Sequence, residues 1–90
     1  MNKKISIVIP VYNEENSVAH LHKEIKNMMV KMNYAYEIIF IDDGSTDKTP
    51  EILKSLSPIK IIRFRKNFGQ TSALNAGIKE SQGEYIITMD

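Results

Sequence analysis

The sequence predicts an α/β fold, a Rossmann-like parallel sheet with the element order β-α-β-α-β-α-β. Two observations carry this expectation. Four short segments are almost wholly apolar and rich in β-branched residues, the pattern of strands covered on both faces rather than one. Between them lie segments of crossover length whose apolar residues recur at steps of three and four, the pattern of helices with one inner face. Strands and helices in alternation build a parallel sheet with right-handed crossovers and helices on both sides.

Residues 5–9 read Ile-Ser-Ile-Val-Ile and form the first strand, which Pro10 is expected to end. Residues 14–33 carry Val18, Leu21, Ile25, Met28, Met29 and Met32 at helical spacing, so all six are expected inside. Residues 37–41 are the second strand. The turn that follows, Asp42-Asp43-Gly44-Ser45-Thr46-Asp47, is rich in side chains that cap helices, and Asp47 reads as such a cap. Pro50 belongs in the first turn of the second helix, where its missing N–H costs little. Ile52, Leu53 and Leu56 form that helix's inner face, and Pro58 closes it. Residues 59–64 are the third strand, 65–70 a basic polar loop, and 71–81 a third helix with Leu74 and Ile78 inward. Gly83 stops that helix, and 84–89 form the fourth strand.

Composition narrows the function classes. The chain has 90 residues, of which 42% are hydrophobic and 26% charged. That is the balance of one small soluble domain, spanning 1–90, and not of a collagen, a coiled coil or a disordered tail. A chain this short buries only about 60–65% of its unfolded surface, so its core is small. Twelve basic and eleven acidic residues give a net charge of +1, which carries no nucleic-acid footprint. Cysteine is absent, so disulfides and thiolate metal sites are excluded, and a cytoplasmic setting fits. No apolar run reaches the ~20 residues of a membrane helix. The chain stops at Asp90 directly after an apolar strand, and is expected to be the front part of a longer protein. The fourth strand would then be an open edge at which the isolated chain pairs with a second copy.

Ligands of open parallel sheets bind beyond the carboxyl ends of the strands. After the first strand come Pro10, Val11, Tyr12, Asn13, Glu14 and Glu15; after the second, Asp42, Asp43, Gly44 and Ser45. After the third come Arg63, Arg65, Lys66 and Asn67, and after the fourth Asp90. A mixed-charge cleft with one aromatic ring suits a nucleoside diphosphate. Tyr12 is placed to stack on a base. A carboxylate at Asp43 is placed to accept the ring N–H of uracil or guanine. Arg65 or Lys66 would meet phosphate oxygens, and Gln70 opens a helix N-terminus beside them. Asp90 would hold a divalent cation bridging the phosphates. Neither a Gly-x-Gly-x-x-Gly nor a Walker loop is present, which excludes a classical dinucleotide fold and a P-loop NTPase. A phospho-acceptor signalling domain expects acids where Pro10-Val11-Tyr12 stands. His20 and His22 are two apart on a helix and share no face, so they make no metal site.

These segments resemble the family 2 glycosyltransferases. Residues 7–15, Ile-Val-Ile-Pro-Val-Tyr-Asn-Glu-Glu, are similar to the family's opening, and 41–47, Ile-Asp-Asp-Gly-Ser-Thr-Asp, to its second signature. Asn67-Phe68-Gly69, Ala73-Leu74-Asn75-Ala76-Gly77 and residues 83–90 resemble the approach to its Asp-x-Asp metal motif. The run Arg65–Gln70 looks most like that of the polyprenyl-phosphate (dolichyl- or undecaprenyl-phosphate) mannosyl- and glucosyltransferases. The resemblance implies the nucleotide-binding N-terminal half of a GT-A fold. It implies transfer of a hexose from a UDP- or GDP-sugar, with inversion and with Mg²⁺ or Mn²⁺, to a lipid phosphate at the cytoplasmic face of a membrane. By position, Pro10, Tyr12 and Glu14 would line the nucleoside pocket, Asp43 would meet the base, and Asp42 would support that loop. Asp90 would be the first acid of the metal motif. The second acid, the catalytic base and the acceptor site would lie beyond, so the 90 residues alone are expected to lack transferase activity. The alternative is a non-catalytic nucleotide-binding module or an isolated structural fragment.

Overall fold

The computed structural model describes residues 4–89. The elements are β1 (Ile5–Val11), α1 (Val18–Met32), β2 (Tyr36–Asp42), α2 (Thr49–Lys54), β3 (Lys60–Arg63), α3 (Gln70–Glu80) and β4 (Tyr85–Thr88). The expected alternation is therefore the observed one. The four strands form one parallel sheet in the order β3-β2-β1-β4.

Register decides which residues face which helices. β1 pairs with β2 from Ile5↔Tyr36 to Val11↔Asp42. Because side chains alternate along a strand, Ile5, Ile7, Ile9 and Val11 join Ile38 and Phe40 on one face. There they pack against Val18, Ile25 and Met29 of α1 and Leu53 of α2. Val8, Ile39 and Ile41 point the other way and pack on Ala73 of α3. Both faces of β1 and β2 are thus covered, which is why their sequences read as continuous apolar runs.

β3 and β4 depart from the expectation of strands buried on both faces. They are the edges of the described sheet, and Ile61, Ile86 and Ile87 are about two-fifths exposed. A short apolar run does not reveal whether a strand is central or lateral, since that depends on strand order. Pro10 does not end β1 either. Met89 N–H donates to the Val8 carbonyl and Asp43 N–H to the Val11 carbonyl, so alternate β1 residues face β4 and β2. Pro10 therefore faces the β4 side, beyond Val8↔Thr88, the last of the described β1–β4 pairs, so its missing N–H removes none of the described ladder bonds.

Helix α1 begins at Val18, not at Glu14, because residues 12–17 first form a turn in which the Glu14 carbonyl accepts the Ser17 and Val18 N–H groups. Its buried stripe is Val18, His22, Ile25 and Met29. Met28 and Met32 lie beside that stripe and are 41% and 50% exposed, contrary to the expectation of core filling. Ile78 of α3 is likewise 41% exposed. The reason is that α3 meets the sheet through its small residues. A Cβ on Gly77 would lie 2.3 Å from Val8 Cγ1 and 2.6 Å from Ile41 Cδ1, so the helix axis sits close and the wider Ile78 is turned away.

The amino end of the sheet is held by one buried carboxylate. Glu37 Oε2 accepts the Ser6 hydroxyl at 2.5 Å and the Gln82 N–H at 2.6 Å, while Oε1 lies 2.8 Å from Lys60 Nζ. Ser6 Oγ accepts the Gly83 N–H. Glu37 on β2 so ties together β1, β3 and the turn entering β4. Burial alone would raise its pKa. The donors from Lys60, Ser6 and Gln82 outweigh that and bring it from an ordinary 4.5 down to about 2.

Two predictions follow from this packing. A carboxyl with a depressed folded pKa stabilises fully above its unfolded value and loses that contribution as pH falls toward the folded one. The unfolding free energy from urea denaturation should therefore fall between pH 4.5 and 2 by up to about 3 kcal/mol, and Glu37→Gln should flatten that fall; an unchanged slope would refute the assignment. Gly77→Ala sets helix propensity, worth up to ~1 kcal/mol in favour of Ala, against overpacking of Val8 and Ile41, worth ~1–3 kcal/mol the other way. Urea denaturation should show the variant to be the less stable.

Candidate functional site

The loops after β1, β2 and β3 converge at the carboxyl edge of the sheet, and their backbones are joined by side chains. Asn13 has φ 51°, a left-handed conformation that Asn tolerates better than most residues. That turn places its N–H on Ser45 Oγ at 2.9 Å, and its Oδ1 accepts the Thr46 N–H at 2.8 Å. The Glu14 N–H donates to Thr49 Oγ1 and the Glu15 N–H to Asp47 Oδ2. Asp47 also accepts the Thr49 N–H at 2.8 Å, taking an N–H of the first turn of α2. Desolvation works to raise the Asp47 pKa, but hydrogen bonds from Thr49 and from the Glu15 N–H outweigh it and hold it below its ordinary value.

The two adjacent acids of the second loop do different things, because successive residues leave a strand on opposite faces. Asp42 is fully buried, and its Oδ1 accepts the Ser45 N–H at 2.9 Å, closing the turn. Its Oδ2 has no hydrogen-bond partner, and the nearest cation is Arg63 Nε at 3.9 Å. Asp43 is 4% exposed and turns toward the loop after β3. Its Oδ1 accepts the Phe68 N–H at 2.8 Å, and its Oδ2 accepts the Gly69 N–H at 3.1 Å and Asn67 Nδ2 at 3.2 Å. Gly44 is needed between them: its φ is 76°, and a Cβ there would lie 2.2 Å from the Lys66 carbonyl carbon.

A cavity of about 190 Å³ opens at this edge, lined by Pro10, Val11, Tyr12, Glu14, Asp43 and Gln70. Five of the residues singled out in the sequence, Pro10, Tyr12, Glu14, Asp43 and Gln70, are therefore brought together. Tyr12 is 45% exposed and offers a ring face. Asp42 does not line the cavity; it holds the turn beneath it. Arg65 is in a separate groove of about 330 Å³ with Gly44, Ser45, Arg63 and Phe64, and Lys66 Nζ sits 5.2 Å from the Phe68 ring centroid. Asp90 lies outside the described residues. Among the described residues no group of three or more His, Asp or Glu is placed to hold a metal ion, so the residues here do not by themselves fit one.

Sequence reasoning assigned no role of their own to Asn13, Ser45, Thr49 and Asn67, which hold the loops in place. Two of them carried a weak signal. Asn13, in the turn just past β1, is a residue type that tolerates the left-handed region, and Asn67 lies in the polar loop that the sequence placed after the third strand.

Comparison with known proteins agrees with this geometry. The model for the family Glycosyl transferase family 2 matches residues 6–90. The chain is 44% identical to CsbB of Bacillus subtilis (strain 168), a protein named as a glycosyltransferase, over 96% of this chain and 27% of that one. It is 39% identical to the undecaprenyl-phosphate 4-deoxy-4-formamido-L-arabinose transferase of Pseudomonas savastanoi pv. phaseolicola, over 98% of this chain and 28% of that one. Among solved structures, S. aureus TarS 1-349 in complex with UDP superposes with a TM-score of 0.78 at 26% identity, over 97% of this chain and 27% of that one. The chain spans little more than a quarter of the length of these proteins. The sheet is the Rossmann-like GT-A type that the resemblance implies, and the chain belongs to glycosyl transferase family 2.

Proposed function

We propose that this chain is the nucleotide-sugar-binding part of an enzyme that transfers a hexose from a UDP- or GDP-sugar, with inversion, to a polyprenyl phosphate at the cytoplasmic face of a membrane. The observation that carries the reading is the cavity at the carboxyl edge of β1 and β2, where a buried carboxylate and an exposed aromatic ring share one lining. The UDP held by TarS and the lipid-phosphate acceptor in the name of the Pseudomonas relative support the donor and acceptor classes.

In this reading Tyr12 stacks on the base. The Asp43 carboxylate accepts a ring N–H, a charge-assisted bond made stronger by its burial. Pro10 and Val11 supply the apolar wall, and Glu14 and Gln70 offer polar contacts to the sugar of the nucleoside. Direct displacement also needs a base against the acceptor hydroxyl. Neither acid of the cavity is assigned that role: Asp43 is held by three donors, and Glu14 is given to the sugar of the nucleoside. The 90 residues by themselves thus bind the donor without transferring its sugar. Mg²⁺ or Mn²⁺ enters this reading only through Asp90, so no step here runs through a metal.

Calorimetric titration of the chain with UDP and GDP, each with and without Mn²⁺, tests the reading. At least one should bind, with little dependence on the metal. Tyr12→Ala removes an exposed ring that takes no part in the core, and should weaken binding by about tenfold, the worth of one base–aromatic stack. Asp43→Ala should weaken it by about 10- to 100-fold, with circular dichroism reporting whether the fold survives. A folded chain that binds neither nucleotide would refute the site, and sugar transfer by the 90 residues alone would refute the division of labour.

A further inference from the structure

The hydrogen bonds around Asp43 decide more than its orientation. A carboxylate offers about four acceptor sites, two on each oxygen. Loop 67–69 fills three of them: Asn67 Nδ2 and the Gly69 N–H take both sites of Oδ2, and the Phe68 N–H takes one site of Oδ1. Among the described residues nothing fills the second acceptor site of Oδ1, which is left for anything that enters the cavity. Asn67 is held in place by a second bond, from the same Nδ2 to the Asp43 carbonyl at 3.3 Å.

We propose that loop 67–69 is the base-specificity element of the site, because it leaves Asp43 a single free acceptor and so selects uracil, with its one ring N–H, over guanine. This rests on the reading of the cavity as a nucleoside site and deepens it to one donor class, the uridine diphosphate sugars. Guanine presents two adjacent donors, its ring N–H and its exocyclic amine. They pair with both oxygens of an open carboxylate, but here Oδ2 is already saturated. One guanine donor would find no acceptor on Asp43, and losing that charge-assisted bond weakens binding by about tenfold or more. Cytosine and adenine place a ring lone pair where the donor is needed, and the carboxylate repels it. The Gln70 amide in the same cavity donates to a carbonyl flanking the uracil N–H. Asn67 is accordingly a positioning residue: it acts on the base only through Asp43.

The test is calorimetric titration of the wild-type chain with UDP, GDP, inosine diphosphate and N3-methyluridine diphosphate. UDP should bind at least tenfold tighter than GDP, and methylation at N3 should abolish that advantage. Inosine diphosphate is guanosine diphosphate without the exocyclic amine, so losing the surplus donor should make it bind severalfold tighter than GDP. Asn67→Ala frees an acceptor site on Oδ2 and should narrow the UDP-to-GDP ratio at least threefold; a merely structural role would weaken both nucleotides alike. If UDP and GDP bind equally, or GDP binds as tightly as inosine diphosphate, the inference is overturned while the nucleoside site stands. If none of the four binds to a folded chain, both readings fall together.

Discussion

The parallel pairing of β1 with β2 is the constraint on which the rest of this molecule depends. It is the longest ladder in the sheet, running from Ile5↔Tyr36 to Val11↔Asp42. Its register sorts the apolar side chains into the two layers that hold α1 and α2 on one side and α3 on the other. The same register brings both strands to an end at one level. Beyond that level the Asn13 turn and the Asp43 turn lie side by side, and Ser45 and Thr49 reach across to the backbone of the neighbouring loop. A slip of one residue would exchange the faces of every strand side chain, and it would also exchange Asp42 with Asp43.

Polar groups are buried at both ends of the sheet, and they are satisfied differently. At the amino end, Glu37 meets a hydroxyl, a backbone N–H and the ammonium of Lys60. That arrangement lowers its pKa and fastens four segments of chain. At the carboxyl end, Asp43 meets only neutral donors from loop 67–69, and part of its acceptor capacity faces the cavity. The contrast separates an acid that fastens the sheet from one that lines the cavity.

The edges of the sheet have a character of their own. β3 and β4 carry isoleucines that are about two-fifths exposed, and α1 leaves Met28 and Met32 outside the core. Exposed apolar strands at an edge are sites where further chain adds on. The related proteins named above are more than three times as long as this chain.

The sequence by itself determined the alternation of elements, the parallel sheet and the edge where the candidate site residues collect. All three depend on local periodicity and on which residue types follow each strand. It also distinguished the loop of Pro10, Tyr12 and Glu14 and the acid at Asp43, which the cavity brings together. Tertiary structure alone decided the rest. Strand order made β3 and β4 edges, and no property of a four-residue apolar run encodes its neighbours. The close approach of Gly77 turned Ile78 outward, and the narrow stripe of α1 left two methionines in solvent. Most consequentially, the pleat sent Asp42 and Asp43 to opposite faces, so that one closes a turn while the other meets Asn67, Phe68 and Gly69 some 25 positions along the chain. Adjacent letters in a sequence share a neighbourhood only until the strand's alternation parts them, and contacts at that separation exist only once the sheet has formed.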